Sequence, residues 1–457
     1  MPRTLGEFAH ACGGRLEGAD RSYAAVSTDS RTLGAGDLFV ALRGPRFDGH
    51  AFLGAVEQAG AAGAVVETAH ASRLAQIVVQ STETALARAA RSWRGRFTIP
   101  LVGVAGSNGK TTVKEMLAAI LGQAGACLAT RGNLNNHIGV PLTLLRLEPT
   151  HRFAVVEMGA NHAGEVAALA RIAHPTIGLI TNAGAEHLEG FGSLEGVARA
   201  EGEMVEGLPA EAVAILNADD PFVTLWRSLT RARVFTFALA APADFRARDI
   251  HGDIVAGAFC TRFTLECSQG SRAIELQLAG RHNVANALAA AAAACAAGAS
   301  LDHIRAGLAT MRAVQGRLQL KRAHGGAWLI DDSYNANPSS VRAAIEVLAE
   351  LGGRQWLVLG DMAELGGFAR ESHTEIGAFA RAHGIERLFA TGELARLAVE
   401  SFGAGAQWYP DTEALARALG TAVSPETRVL VKGSRVNRLE RVVAALVAAA
   451  DATGRGA

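Results

Sequence analysis

The sequence predicts an α/β protein of three domains: a small N-terminal α/β domain over residues 1–97, a central phosphate-loop-type domain with a parallel sheet over 98–314, and a C-terminal Rossmann-like α/β domain over 315–457. Length is the first reason, since 457 residues at about 150 per domain suggest roughly three. The second is an alternation, from Thr98 onward, of short β-branched runs with longer helical patterns, which argues for a parallel sheet covered on both faces. The third is that the first ninety-odd residues differ, with shorter strands and many glycines.

In chain order, AVVE near Ala64 and QIVVQ at Gln76 read as strands of the first domain. TIPLVGV then leads to a helix from Thr112, FAVVE to a helix after Gly159, and TIGLIT at Thr176 to more helix. A second series runs WLIDD near Trp328, QWLVLG at Gln355, RLFAT at Arg387 and RVLVKG at Arg428, each separated by a helical segment. The domain boundaries fall near Phe97 and Val314, and no tandem repeat or low-complexity linker interrupts the series.

Composition narrows the class. Lys plus Arg and Asp plus Glu are 44 each, a zero net charge that argues against a nucleic-acid or membrane-surface protein held by bulk electrostatics. Only Lys110, Lys114, Lys321 and Lys432 are lysine; genomic base composition explains the excess of arginine, and the four that remain are candidates for places needing a compact ammonium. Hydrophobic residues at 49% and charged residues at 19% suit packed cores. Five scattered cysteines, none in a CxxC pair, imply neither a disulfide framework nor a zinc site and fit a reducing cytoplasm. MPRTLGEFAH has no apolar run behind its charge and is not expected to act as a signal peptide, and the alanine-rich stretch at 285–299 is expected to be too short to span a bilayer.

The strongest local signal is GVAGSNGKTT at 103–112, between an apolar strand and a helical pattern, the setting of a phosphate-binding loop. Backbone N–H groups of Gly106, Ser107, Asn108 and Gly109 and the helix start at Thr112 can cradle a polyphosphate, Lys110 can reach its terminal phosphates, and Thr111 can hold magnesium. The common G-x4-GK[ST] pattern fails at its first position, where Val104 stands. Glu157 ends the strand FAVVE, where its carboxylate is either a metal ligand beside the loop or a strand-end or capping group. His187, in NAGAEHLEGFG, is either an added ligand or a solvated loop histidine.

Four further clusters carry polar chemistry. Asn133, Asn135 and Asn136, in 130–141, suit a ligand-reading loop and an ordinary turn equally. His282 and Asn286 lie one turn apart at the start of the alanine-rich segment, where amides can read a base edge, although capping alone explains Asn283. DDSYNANPSS at 331–340 and VKGSRVNR at 431–438 both follow strands and read as loops over a binding face.

Taken together, GSNGKTT, GNLNN, EMGANHAGE, the NAGAEHLEGFG loop, GRHNVANALAA, GR at 316–317 and DDSYNANPSS resemble the Mur ligase family, ATP-dependent amide-forming enzymes of peptidoglycan synthesis, in the family's order and across almost the whole chain. DSYNANP and GDMAELG resemble the branch that joins D-alanyl-D-alanine to UDP-N-acetylmuramoyl-tripeptide, and the DNPR motif of the preceding ligase is absent. STDSR at 27–31 and GPRFDGHAF at 44–52 resemble the family's UDP-binding module, which folylpolyglutamate synthetase lacks.

The resemblance implies ATP and Mg2+ as cofactors, an acyl-phosphate intermediate, a monomer, and specific roles. Lys110 would contact the β- and γ-phosphates, Thr111 and Glu157 the first magnesium, and His187 a second. His282 and Asn286 would lie by adenine, Asp332 by ribose, and Arg317 would approach the γ-phosphate on domain closure. Ser30, Arg31, Phe47, Asp48, Gly49 and His50 would face the uridine diphosphate end, with the three loop asparagines also on substrate. Tyr334, Asn335, Asn337 and Arg435 are candidates for the dipeptide and the cleft wall.

One departure stands out. Where the family carries a lysine carbamylated on its amine, this chain has Glu201, in VARAEGEM. A carbamate and a carboxylate have the same charge, so by the resemblance Glu201, though shorter, would supply the negative group for the second magnesium without a carbon dioxide adduct; the alternative is a solvated helix residue. Turnover in buffer stripped of carbon dioxide is therefore expected to match turnover with added bicarbonate; a strong bicarbonate dependence would contradict this role.

Overall fold

The computed structural model describes residues 3–44, 47–185 and 188–453, with 448–453 as backbone alone. Runs of Val, Ile and Leu without polar alternation make strands buried on both faces, as parallel strands under two layers of helix must be. Leu101–Ala105, Phe153–Glu157 and Ile177–Ile180 are buried at every position.

They form the heart of a nine-stranded sheet in the order Cys127–Ala129, Phe153–Glu157, Leu101–Ala105, Ile177–Ile180, Val213–Asn217, Arg233–Ala238, Phe245–Val255, Ala258–Cys267 and Gly270–Leu276. Neighbours are parallel as far as Phe245–Val255, and the last two pairings are antiparallel. Leu101–Ala105 comes first in the chain yet lies between Phe153–Glu157 and Ile177–Ile180. The sheet therefore reverses its order there, opening a crevice at the carboxyl ends of these strands.

A five-stranded sheet precedes it, in the order Arg15–Glu17, Ala75–Val78, Gly63–Val66, Leu38–Val40, Val26–Ser27, parallel except at its first pair. A six-stranded sheet follows, in the order Gln319–Arg322, Trp328–Asp332, Thr427–Lys432, Arg354–Leu359, Arg387–Thr391, Ala406–Tyr409, again with one antiparallel edge.

One stretch departs from the sequence reading. After Ile177–Ile180 the chain returns to strand twice more and then makes the antiparallel extension 245–276, where helix was expected. The extension has one wet face, with Arg246, Asp249, His251 and Asp253 exposed, so it lacks the continuous apolar run of the inner strands. The alanine-rich segment is the helix Arg281–Ala296, and Ala289–Ala294 are at most 1% exposed. A helix apolar all round belongs inside a core, and this one packs between the sheet and the helix Lys110–Ala124. Among the described residues no helix is long and apolar enough to cross a membrane.

The first sheet's unit is not loosely tethered. Leu5, Phe8, Leu86 and Trp93 share one apolar cluster with Leu101, Val156 and Met204 of the central unit. Arg94, only 4% exposed, closes the seam: its guanidinium donates to the carbonyls of Ala173 at 3.0 Å, Phe97 at 2.5 Å, His174 at 3.3 Å and Ile99 at 3.4 Å. Burial lowers its pKa, and no carboxylate among the described residues compensates. Arg94→Met would strand these carbonyls, so it is expected to cost about 2 kcal/mol. Thermal unfolding checks this, with Arg94→Lys intermediate because it keeps the charge and loses the fork.

Candidate active site

The phosphate loop leaves the strand Leu101–Ala105 and enters the helix Lys110–Ala124. Val104, which breaks the common motif, lies inside the strand, paired with Glu157 and Leu179, so the demand for glycine falls further on. Gly106 has φ +121°, and a Cβ there would lie 2.1 Å from Thr181 Oγ1; Gly109 has φ +85°, and a Cβ would lie 2.4 Å from Asn286 Oδ1. Both positions exclude side chains on conformation and on space.

Residues after the neighbouring strand hold the loop. Thr181 Oγ1 donates to Asn108 O at 2.6 Å, Asn182 Nδ2 donates to the same carbonyl at 3.0 Å, and Gly184 N donates to Ser107 Oγ at 2.8 Å. Lys110 Nζ folds back onto the carbonyls of Gly106 and, at 3.0 Å, Ser107. Sequence reading missed Thr181 and Asn182; their signal is a polar pair directly after a parallel strand at the order reversal.

Glu157 is 2% exposed. Its Oε1 accepts from Asn135 Nδ2 at 2.9 Å and Thr111 Oγ1 at 3.2 Å, while its Oε2 is buried and has no hydrogen-bond partner among the described residues. A buried carboxylate oxygen without a partner is costly, and beside a threonine hydroxyl it makes an oxygen-only donor set suited to a hard divalent cation such as magnesium. No group of three or more His, Cys, Asp or Glu gathers here among the described residues. A cation would thus complete its shell with phosphate or water oxygens, as magnesium does.

The six-stranded sheet brings its own loops to the same place. Arg317 Nη2 donates to Thr111 Oγ1 at 3.3 Å, and its guanidinium lies 4.7 Å above the Tyr334 ring, with Arg435 at 5.5 Å from the same ring. Asn337 Nδ2 donates to Asn108 Oδ1 at 2.8 Å, and Asn108 Nδ2 donates to Ser339 Oγ at 3.0 Å. Asn337 also caps the helix Pro338–Glu350. Asp332 lies on the cleft wall, but both oxygens are engaged: Oδ1 accepts from Leu318 N at 3.1 Å and Oδ2 pairs with buried Lys432 at 2.7 Å. Lys432 also donates to Asn335 O at 2.9 Å, so it secures the loop.

A cavity of about 720 Å³ joins these parts. Its walls include Lys110, Thr111, Thr112, Glu157, His282, Asn286, Arg317, Asp332, Tyr334, Asn335, Asn337 and the three loop asparagines. Of those asparagines, Asn136 turns its Oδ1 to Gly139 N at 2.9 Å and serves the backbone, whereas Asn133 is exposed.

Other predicted residues lie elsewhere. Glu201 is 7% exposed, and its Oε2 accepts from Gly106 N at 2.6 Å, so it braces the phosphate loop and is absent from the cavity wall. Ser30, Arg31, Phe47, Asp48, Gly49 and His50 belong to the first sheet's unit and do not line the cavity. There Arg31 pairs with Asp29 at 2.7 Å in solvent, and His50 Nδ1 meets Asp48 Oδ1 at 2.6 Å. His187 lies outside the described residues.

His282 opens partly to the cavity yet sits deep among protein atoms. Burial pushes its pKa from 6.5 down to about 4, with Lys432 helping and Asp332 opposing. The neutral ring accepts at Nε2 from Asn283 Nδ2, 3.2 Å away. The unfolded chain takes this proton near pH 6.5 while the folded one resists until about 4, so stability is full above 6.5 and falls between 6.5 and 4. Against His282→Asn, which cannot titrate, the protein is expected to lose about 1 kcal/mol per pH unit in that window. Parallel melting curves from pH 7 to 4.5 check it, and a constant difference would contradict it.

Comparison with known proteins gives a consistent result. The Mur ligase middle domain matches residues 104–294, the Mur ligase glutamate ligase domain 316–435, and the Mur ligase family catalytic domain 22–94. The UDP-N-acetylmuramoyl-tripeptide--D-alanyl-D-alanine ligase of Escherichia coli K12 is 45% identical over 97% of this chain and 98% of its own. A crystal structure of MurF from Acinetobacter baumannii superposes with a TM-score of 0.91 at 34% identity, covering 98% of this chain and 99% of that one. The Thermotoga maritima MurF ligase in complex with ADP gives 0.83 at 28% identity, covering 94% and 98%. With family models and relatives matched along nearly its full length, the chain belongs to the Mur ligase family.

Proposed function

We propose that this protein uses ATP to join D-alanyl-D-alanine to UDP-N-acetylmuramoyl-tripeptide, forming the pentapeptide precursor of peptidoglycan, as a monomer in the cytoplasm. The observation that carries the reading is one cavity walled by a phosphate loop, a buried carboxylate with an unpaired oxygen, and an arginine from the following sheet. The full-length likeness to UDP-N-acetylmuramoyl-tripeptide--D-alanyl-D-alanine ligases supplies the acceptor. In this reading residues 1–97 bind the UDP end of the substrate, 98–314 bind ATP, and 315–457 complete the site.

A carboxylate oxygen is a poor leaving group until phosphorylated. The terminal phosphoryl group of ATP passes to the free carboxylate of the tripeptide, with ADP leaving. The dipeptide amine then attacks the acyl phosphate, and the tetrahedral intermediate collapses to the amide with release of phosphate. The protein's part is to position and to neutralise charge. The loop amides and Lys110 hold the phosphates, and Arg317 approaches the transferring group from the other side of the cleft. Thr111 and Glu157 would hold a magnesium ion and His187 would serve a second; when bound, such ions supply neutralising charge for the phosphate oxygens. His282 and Asn286 flank the base, Asp332 the ribose, and Tyr334, Asn335, Asn337 and Arg435 the incoming dipeptide. Ser30, Arg31 and residues 47–50 take the uridine diphosphate.

The test is phosphate release with ATP, magnesium and the UDP-linked tripeptide, comparing D-alanyl-D-alanine with L-alanine, D-glutamate and a diamino acid. Only the dipeptide is expected to stimulate release. Stimulation by another acceptor and not by the dipeptide would overturn the assignment.

A further inference from the structure

One turn beyond Lys110, the helix Lys110–Ala124 buries a second lysine to which the proposed reaction gives no task. Lys114 is 0% exposed on a face whose other inward residues are Val113, Met116 and Leu117. An ammonium taken out of water is unfavourable unless its hydrogens find acceptors, so its partners show what the position is for.

Lys114 Nζ donates to Thr130 O at 3.0 Å and to Glu115 Oε1 at 2.5 Å. Thr130 directly follows the strand Cys127–Ala129 and is 3% exposed, and its Oγ1 accepts from the backbone N–H of Glu157 at 3.0 Å. Glu157 Oε1 in turn accepts from Thr111 Oγ1, three residues before Lys114 on the same helix. The helix, Lys114, Thr130, Glu157 and Thr111 therefore form a closed ring with hydrogen bonds at three joints. Two of those joints, Lys114 to the Thr130 carbonyl and Thr130 Oγ1 to the Glu157 N–H, tie the backbone that carries the Glu157 carboxylate to the helix that carries the Thr111 hydroxyl.

We infer that Lys114 is a positioning residue: through Thr130 it sets the separation of Thr111 and Glu157, and so the affinity of that pair for a divalent cation. The inference rests on the proposed reading of the pair as the magnesium site. Lysine suits the place better than arginine, because a compact ammonium at the end of a flexible stem can turn its hydrogens to a carbonyl and a carboxylate, whereas a planar fork needs more room.

The experiment uses the full chain with ADP as nucleotide and Mn2+ as the spectroscopic stand-in for Mg2+. Mn2+ affinity is read by electron paramagnetic resonance in the presence of ADP, and ADP affinity by calorimetry in EDTA, for Lys114→Met, Lys114→Arg, Thr130→Val and Glu157→Gln. Lys114→Met and Thr130→Val are expected to weaken Mn2+ binding about tenfold while ADP binding in EDTA stays within about twofold, with no rescue in Lys114→Arg. Thr130→Val keeps the carbonyl that Lys114 binds and nearly the same shape, so it carries the test if Lys114→Met does not fold. Wild-type Mn2+ affinity in Thr130→Val and any folded Lys114→Met, beside a loss in Glu157→Gln, would overturn the positioning role and leave the metal reading standing. Equal losses with and without metal would also overturn it, as general collapse of the loop. Unchanged Mn2+ affinity in Glu157→Gln would bring down the metal reading and this inference together.

Discussion

The parallel pairing of Leu101–Ala105 with Phe153–Glu157 on one side and Ile177–Ile180 on the other is the constraint from which the site follows. It places three strand ends abreast, so the phosphate loop, the Glu157 carboxylate and the Thr181–Asn182 clamp come together without any long-range accident of packing. The crossover order opens the crevice, and the alanine-rich helix closes in behind it. That helix brings Asn286 within touching distance of the phosphate loop, where only a glycine at 109 leaves room. Small residues at 287 and 289–294 let it press against sheet and loop helix at once, which bulkier side chains would prevent.

What was legible in the sequence was what local chemistry dictates. Every inner parallel strand named from a β-branched run is a strand, because burial on both faces leaves no alternation to misread. The phosphate loop was legible despite Val104, since its spacing of glycines relative to Lys110 answers to backbone geometry. The antiparallel extension at 245–276 was not, because a half-solvated strand with charged residues lacks the continuous apolar run that marks the inner strands, and helix was expected there. Nor was the partnership of Asp332 with Lys432, 100 residues apart in sequence and joined only because their strands pair in the six-stranded sheet. Asn337 reads as a cleft-wall amide and lines the cavity while also capping a helix; that it bonds across to Asn108 depends on the tertiary fold and leaves no local mark.

The four lysines gain meaning in the same way. Lys110 binds carbonyls of its own loop, Lys114 the carbonyl of Thr130, Lys321 the Asp331 carboxylate at 2.6 Å, and Lys432 both Asp332 and the Asn335 carbonyl. All four hold backbone or carboxylates of segments that enter the cleft. In a chain where arginine supplies nearly every other cation, three of the four lysines stand where a small charge fits among backbone carbonyls. Scarcity could not identify this from composition, because a carbonyl 97 residues away leaves no mark near Lys432 in the sequence.

Glu201 carries the same logic to the other side of the loop. Its carboxylate takes the N–H of Gly106, the residue at which the backbone turns out of the strand, and so helps fix the φ of +121° that only glycine tolerates readily. A buried anion there adds negative charge beneath a loop shaped to receive a polyphosphate. Lys110, bonded to the carbonyls of Gly106 and Ser107 next to it, sits where it offsets that charge, and Arg317 approaches from the facing sheet. The residues that bend the loop and those that neutralise it are thus adjacent. A change at Glu201 acts first on the loop's geometry and only through it on the phosphates.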